Sequence, residues 1–299
     1  MSAILLDGKA CAQAVRAELK EGIQTLAGKG VRPGLAVILV GDSPASASYV
    51  ASKTKACTEL GMLSETLSFP ESVTQDSLLG LVTKMNADAS YHGILIQLPL
   101  PSHLDSPALL EAIVPEKDVD CLHPHNVGRL LLGRPVFAPC TPAGIIELLV
   151  RNGIEVSGKH VVIVGRSNIV GKPLAAMLIQ KSQGGNSTVT LCHTGSGDLS
   201  RYTRSADILV AAMGKAEFIR GEMIKPGAVV VDVGMNRIPD SAKRSGYRLV
   251  GDVHFDSAQE VASAITPVPG GVGPMTVTML VANTVKAATL FAEGQRTHL

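Results

Sequence analysis

The chain has 299 residues, 45% hydrophobic and 18% charged, so it is long enough for two domains and apolar enough to bury a large interior. Aromatic residues make up 3% with no Trp, and the net charge is +1 with no long run of Lys or Arg, which argues against a nucleic-acid partner. The five cysteines (Cys11, Cys57, Cys121, Cys140, Cys192) are odd in number, scattered and free of Cys-x-x-Cys spacing, which speaks against a disulfide framework or structural zinc.

Asp7 interrupts the apolar start Ala3–Leu6, and no apolar run approaches the roughly 18 residues of a membrane span. The expectation is a soluble cytoplasmic protein with no membrane partner.

Along the chain, β-branched runs alternate with helix-length amphipathic segments, the pattern of parallel α/β units. A buried strand is expected over 35–42, a helix over 45–60 ending at Gly61, a strand over 64–69, a helix over 75–89 and a strand over 93–101 stopped by prolines. A short helix at 105–114 precedes a polar loop, "KDVDCLHPHNVG". A new helix then starts near "APCTPAGIIELL", with Thr141 as N-cap and Pro142 at its first position.

The second half opens with a near-continuous apolar strand at 159–165, a glycine loop and a helix to about 181. Further strands are expected at "STVTLCH", "DILVAAMG" and "AVVVDVGMN", with a helix near 198–205. After "TPVPGGVGPMT", Val277, Leu280, Val281, Thr284, Val285 and Ala288 recur at helical spacing from Met275 onward, which predicts a long closing helix.

The glycine loop carries the first functional signal. "VVIVGRSNIVGKPLA" puts Gly165, Ser167 and Gly171 between a buried strand and a helix, where small residues bring backbone N–H groups to a pyrophosphate. Ser167 replaces the second glycine of the full Gly-x-Gly-x-x-Gly, and the bland alternative is an ordinary tight turn. NAD enzymes carry Asp or Glu at the end of the next strand. Here that strand runs into His193-Thr194-Gly195, while Arg166, Arg201 and Arg204 are near in sequence, which favours the 2′-phosphate of NADP.

Tyr49 and Lys53 form a Tyr-x-x-x-Lys pair. In short-chain dehydrogenases that pair follows the nucleotide loop within one domain; here it precedes the loop by more than a hundred residues, so that reading fails. The spacing still puts both side chains on one helical face, where a solvated surface is the plain alternative. Gln97 is a polar residue in an apolar strand, and a buried amide there needs partners. Asp118, Asp120, His123 and His125 cluster in the polar loop. Their spacing matches no tight metal motif, so no metal is expected, and a carboxylate tying a loop through backbone N–H groups is the usual role.

Together, "VGDSPASASYVASKTKAC", "GILIQLPLP", "KDVDCLHPHNVGRL", "CTPAGIIELL", "GRSNIVGKPLA", "VVVDVGMN" and "ITPVPGGVGPMTVTML", in this order, strongly resemble the bifunctional methylenetetrahydrofolate dehydrogenase/methenyltetrahydrofolate cyclohydrolase family over nearly the whole chain. The resemblance implies an α/β protein of two domains. One is a three-layer folate-binding catalytic domain (1–140 plus 275–299), to which a long C-terminal helix returns. The other is a Rossmann-type NADP-binding domain (141–274), with the folate in the cleft between them.

By the same resemblance, Lys53 is the cyclohydrolase lysine, Tyr49 the tyrosine that stacks on the folate, Gln97 the glutamine beside the lysine and Asp120 the aspartate that holds the pterin. Leu98 and the loop Pro269, Gly270, Gly271, Val272 and Gly273 are substrate positions. Gly165, Arg166, Ser167, Gly171, Thr194, Gly234 and Met235 are cofactor positions. The implied partners are tetrahydrofolate one-carbon derivatives and a second copy of the chain, in one-carbon metabolism and purine biosynthesis.

The family commonly has Gly-Phe where this chain has Cys121-Leu122, and often "CHS" where it has "CHT". "SQGGNS" (182–187) and "PDSAKRSGYR" (239–248) read as small loop insertions. A non-catalytic binding module is the competing reading; Lys53 with Gln97, which simple binding does not need, counts against it.

Overall fold

The computed structural model describes residues 3–243 and 246–294. Arg244 and Ser245 of the 239–248 segment, and residues 295–299 of the expected catalytic domain, lie outside the described residues. The chain opens with β1 (Ile4–Leu5) and α1 (Gly8–Gly28). It continues through β2 (Gly34–Val40), α2 (Pro44–Glu59), β3 (Leu63–Phe69), α3 (Gln75–Ala87) and β4 (Gly93–Ile96). Three helices follow: α4 (Ser106–Glu111), α5 (Pro124–Leu131) and α6 (Cys140–Arg151).

The second half holds β5 (His160–Val164), α7 (Gly171–Leu178), β6 (Thr188–Cys192), α8 (Ser200–Thr203), β7 (Ile208–Ala211) and β8 (Val229–Asp232). It ends with β9 (Asn236–Pro239), β10 (Tyr247–Val250), α9 (Phe255–Gln259), β11 (Ala264–Ile265) and α10 (Val272–Ala292). Two compact units result: Ala14–Cys140 with the chain from Val277 on, and the chain up to Gln13 with Thr141–Thr276.

The unit holding Ala14–Cys140 is built on a parallel sheet of order β3-β2-β4. Alternation along β2 sends its side chains to two faces. Leu35, Val37 and Leu39 join Ile23 and Leu26 of α1, Val50, Ala56 and Cys57 of α2, and Val277, Leu280, Val281, Val285 and Ala288 of α10. Ala36, Ile38 and Val40 join Leu78, Val82 and Met85 of α3 and Leu109 of α4. These are three layers with an apolar core on each side of the sheet. Among the described residues, α10 is the helix long and apolar enough to cross a membrane. Its apolar stripe lies in this core.

The other unit carries a fully parallel six-stranded sheet, β1-β11-β8-β7-β5-β6. β5 comes first in its main segment; the chain adds β6 on one side and β7 on the other, which makes the carboxyl end of β5 a topological switch point. In the smaller sheet β2 has the same place, with β3 on one side and β4 on the other.

Several expectations are corrected. The N-terminal strand, which the sequence reading did not foresee, pairs with β11, so Ile4 and Leu5 belong to the six-stranded sheet rather than with residues 14–140. β4 ends at Ile96, before the Leu98–Pro99 bond, and Gln97 follows it instead of lying inside it. The last five residues of the expected polar loop, 124–128, belong to α5, started by Pro124 at its first turn and capped by the His123 ring accepting from His125 N–H. α6 begins at Cys140, so Thr141 is inside the helix and not its cap; its hydroxyl meets that of Thr276 at 3.0 Å. The 239–248 segment bridges the antiparallel pair β9–β10, and α10 starts at Val272 rather than Met275.

Candidate active site

Helix α2 positions the first two residues. Ser43 caps it, accepting from Ser46 N–H, and Pro44 pre-sets the first turn. One turn apart on the resulting face, Tyr49 and Lys53 lie with the lysine ammonium 4.5 Å from the ring centroid. Lys53 is 5% exposed. By contrast Lys55 is exposed and sits 3.8 Å from Glu59 on the outer surface.

Gln97 leaves the carboxyl end of β4, where its N–H continues the ladder to Ile38 O at 2.9 Å. Its side-chain Nε2 donates to Leu98 O at 2.7 Å, which turns Oε1 toward Lys53, and Lys53 Nζ donates to it at 2.9 Å. The lysine's bonded partner is therefore a neutral carbonyl. Burial pushes the Lys53 pKa down, opposed chiefly by the charge of Asp120 and next by Cys140. Complete burial, together with the charge of Asp120 and a hydrogen bond to it, pushes the Cys140 thiol well up, so this neighbour stays a neutral S–H.

Asp120 is held by its own loop. The Asp118 carboxylate accepts from Leu122 N–H at 3.0 Å, His123 N–H at 2.9 Å and Asn126 Nδ2 at 2.8 Å. This is the loop-tying role, and burial raises the Asp118 pKa against those three bonds. Between the two aspartates and His123, Cys121 takes φ 58°, a conformation that glycine adopts without strain. Its side chain is fully buried and its thiol donates to Phe137 O at 3.3 Å.

In the six-stranded unit, Gly165 follows β5 with φ 133°, and a Cβ there would strike the carbonyl of Ala212. A Cβ at Gly171 would likewise strike the carbonyl of Gly165, so this turn closes only with glycine at both places. Arg166, Ser167 and Asn168 are exposed on the turn, and Ser167 Oγ accepts from Val170 N–H at 3.1 Å just before α7. Thr194 is exposed in a turn after β6 that His193 and Ser196 close on each other. No carboxylate occupies that strand end. A tight glycine turn, a helix start, an arginine and no acid form a donor set suited to a phosphate-rich dinucleotide.

Gly234 and Met235 follow β8, with Met235 exposed and its methyl beside Gly273. Pro269–Gly271 precede α10 while Val272 and Gly273 form its first turn, so this loop belongs to the same unit as the cofactor positions and not to the unit of Lys53.

Two buried aspartates that sequence reasoning missed shape these strand ends. Asp232 accepts from the N–H groups of Gly234, Asp252 and Val253. Asp252 accepts from those of Met213, Gly214 and Lys215 and from Asn236 Nδ2. Burial lifts the Asp232 pKa to about 7 against its three bonds. An Asp closing the apolar run "VVVD" was the available signal for the first. Cys140 was the other omission, visible only as part of "CTPAG".

The family models match on both halves: the tetrahydrofolate dehydrogenase/cyclohydrolase catalytic domain over residues 6–120, and the NAD(P)-binding domain of the same family over 139–292. The chain belongs to the tetrahydrofolate dehydrogenase/cyclohydrolase family. Among members, it is 55% identical to bifunctional protein FolD 1 of Myxococcus xanthus, with 95% of this chain and 97% of that one covered. Its fold matches the crystal structure of the bifunctional FolD enzyme from Campylobacter jejuni at TM-score 0.90 and 50% identity, over 96% and 99% of the two chains. It also matches the Trypanosoma brucei FolD enzyme complexed with NADP and an inhibitor at TM-score 0.92 and 42% identity, over 99% and 100%.

Proposed function

We propose that the protein oxidises 5,10-methylenetetrahydrofolate with NADP to 5,10-methenyltetrahydrofolate and hydrolyses that product to 10-formyltetrahydrofolate, with Lys53 as the residue of the second step. The observation that carries the assignment is the buried Lys53 amine bonded to the neutral Gln97 carbonyl at 2.9 Å. A lysine serves as a base only when its pKa approaches neutrality, and burial acts in that direction. A cationic methenyl substrate lowers it further.

In the hydrolytic step, water forms a C–O bond to the cationic carbon as Lys53 Nζ takes its proton. The product of this addition is a neutral carbinolamine; Lys53 returns its proton to the leaving nitrogen as one C–N bond breaks, and the hydroxyl proton departs to water as the formyl C=O forms, so one proton is released overall. Gln97 aims the amine without neutralising it. Tyr49 supplies an aromatic face, Asp120 an acceptor for the pterin N–H groups and Leu98 a further contact; the Pro269–Gly273 loop, which belongs to the other unit, is a substrate position through the family resemblance.

NADP, when bound, supplies the hydride acceptor of the first step. Gly165, Ser167 and Gly171 would hold its pyrophosphate, Arg166 and Thr194 its 2′-phosphate end, and Gly234 and Met235 the remainder. The folate nitrogens stabilise the cation formed, so the protein's task in this step is alignment, and no strong base is needed.

Replacing Lys53 by Met tests the reading. Cyclohydrolase turnover should vanish in a decay assay of methenyl absorbance while the circular dichroism spectrum is retained; a normal hydrolysis rate sinks the assignment.

We also read the protein as a cytoplasmic homodimer. The five thiols are free, as a reducing compartment requires. β3 is a sheet edge beside a groove of about 580 Å³ lined by Leu39, Val50, Ala51 and Thr66, a template for a second copy. A monomer mass in sedimentation equilibrium would refute the dimer.

A further inference from the structure

Asn283 of α10 makes one set of contacts with an unusual reach. Its side-chain Nδ2 donates to Val119 O at 2.7 Å and to Ala138 O at 2.8 Å, and lies 3.7 Å from Cys140 Sγ. Val119 directly precedes Asp120, and Ala138 lies two residues before Cys140. The same two segments are stitched by Cys140 Sγ to Val119 O at 3.4 Å and Cys121 Sγ to Phe137 O at 3.3 Å.

Those thiol bonds are weak. The amide is the strong donor, and each of its two hydrogens has a carbonyl acceptor on a different segment. Leucine has the same bulk but leaves both carbonyls without this donor, and aspartate would set a carboxylate against them. Glutamine keeps the donor on a longer arm.

We infer that Asn283 is a positioning residue for the Lys53 site, holding the segments that carry Asp120 and Cys140 through its bonds to Val119 and Ala138. The inference deepens the folate reading above and rests on it for its kinetic consequence. Asn283 does not itself touch the lysine; it acts through Asp120, the acceptor assigned to the pterin, and through the Cys140 thiol.

The test uses the full chain with Asn283→Leu and Asn283→Gln. In steady-state assays, Asn283→Leu should raise KM for methylenetetrahydrofolate about tenfold. KM for NADP should stay within about twofold, and Asn283→Gln should recover part of the loss. A merely structural role would lower the fraction of active enzyme and leave both KM values unchanged.

A second readout does not depend on activity. Alkylation of Cys140, followed by mass spectrometry, should accelerate at least about tenfold in Asn283→Leu while Cys192, buried in the other unit, keeps its wild-type rate as an internal control. If Asn283→Leu does not fold, Asn283→Gln carries both measurements, with smaller shifts in the same directions. Unchanged folate KM and unchanged Cys140 labelling in the folded variants overturn the proposal. Wild-type protein inert toward folate would sink the folate reading, and the labelling ratio would still decide the Asn283 tie.

Discussion

The two units place their candidate residues at the same topological point and build them from different material. In the six-stranded unit the carboxyl end of β5 carries a turn made of backbone, closed by Gly165 and Gly171, with exposed side chains around it. In the three-stranded unit the elements after β2 and β4 carry a buried amine and an amide, Lys53 and Gln97. A sheet whose order reverses beside its first strand opens a crevice in both cases. Backbone donors suit a ligand bound by its phosphates. A desolvated side chain suits proton transfer, because burial is what brings a lysine toward neutrality.

The sharpest way to break this contrast is to put a charge on the neutral partner that Lys53 bonds. Gln97→Glu sets a carboxylate on Lys53 and raises its pKa, so the free amine appears only at higher pH. The cyclohydrolase pH profile should move up by about 1–3 pH units, with activity at neutral pH falling about 10–100-fold. An unshifted profile would show that Lys53 does not titrate in the step.

The corresponding change in the other unit is Arg166→Ala. Loss of one charged contact to a 2′-phosphate should raise KM for NADP about tenfold and leave NAD kinetics nearly unchanged. Equal catalytic efficiency of the wild-type enzyme with NAD and NADP would remove the basis for Arg166's role.

Asp232 bears on stability and leaves the two activities aside. Its pKa is lifted from 3.8 to about 7, so the folded protein keeps a proton that the unfolded chain has released. Stability should therefore fall as pH rises from about 4 to about 7 and the contribution should be flat above that. Carboxyl carbon NMR should follow Asp232 with a midpoint near 7; a midpoint near 4 would mean that its three backbone N–H bonds outweigh burial.

The same contrast explains how much was legible in the sequence. The alternating strand and helix segments, the glycine turn and the apolar stripe of α10 are local patterns, and each leaves a trace a few residues long. The Lys53 surroundings are not local. They draw on α2, the residue after β4, the 118–123 loop and the first residue of α6, and no periodicity links these positions. They were recognisable only through resemblance to a family.

The misses have the same origin. β1 is two residues long and is defined by pairing with β11 far along the chain. Asp252 and Asn283 act on segments distant in sequence. Thr141 looked like a helix cap because Pro142 follows it, yet the helix starts one residue earlier.

The central claim is that the buried Lys53 performs the hydrolysis and is not needed for the oxidation chemistry. The most direct measurement is the pair of rates in Lys53→Met, followed in one cuvette with methylenetetrahydrofolate and NADP. Methenyl absorbance should rise and then persist, decaying only at the buffer rate. Decay at the wild-type rate would contradict the claim.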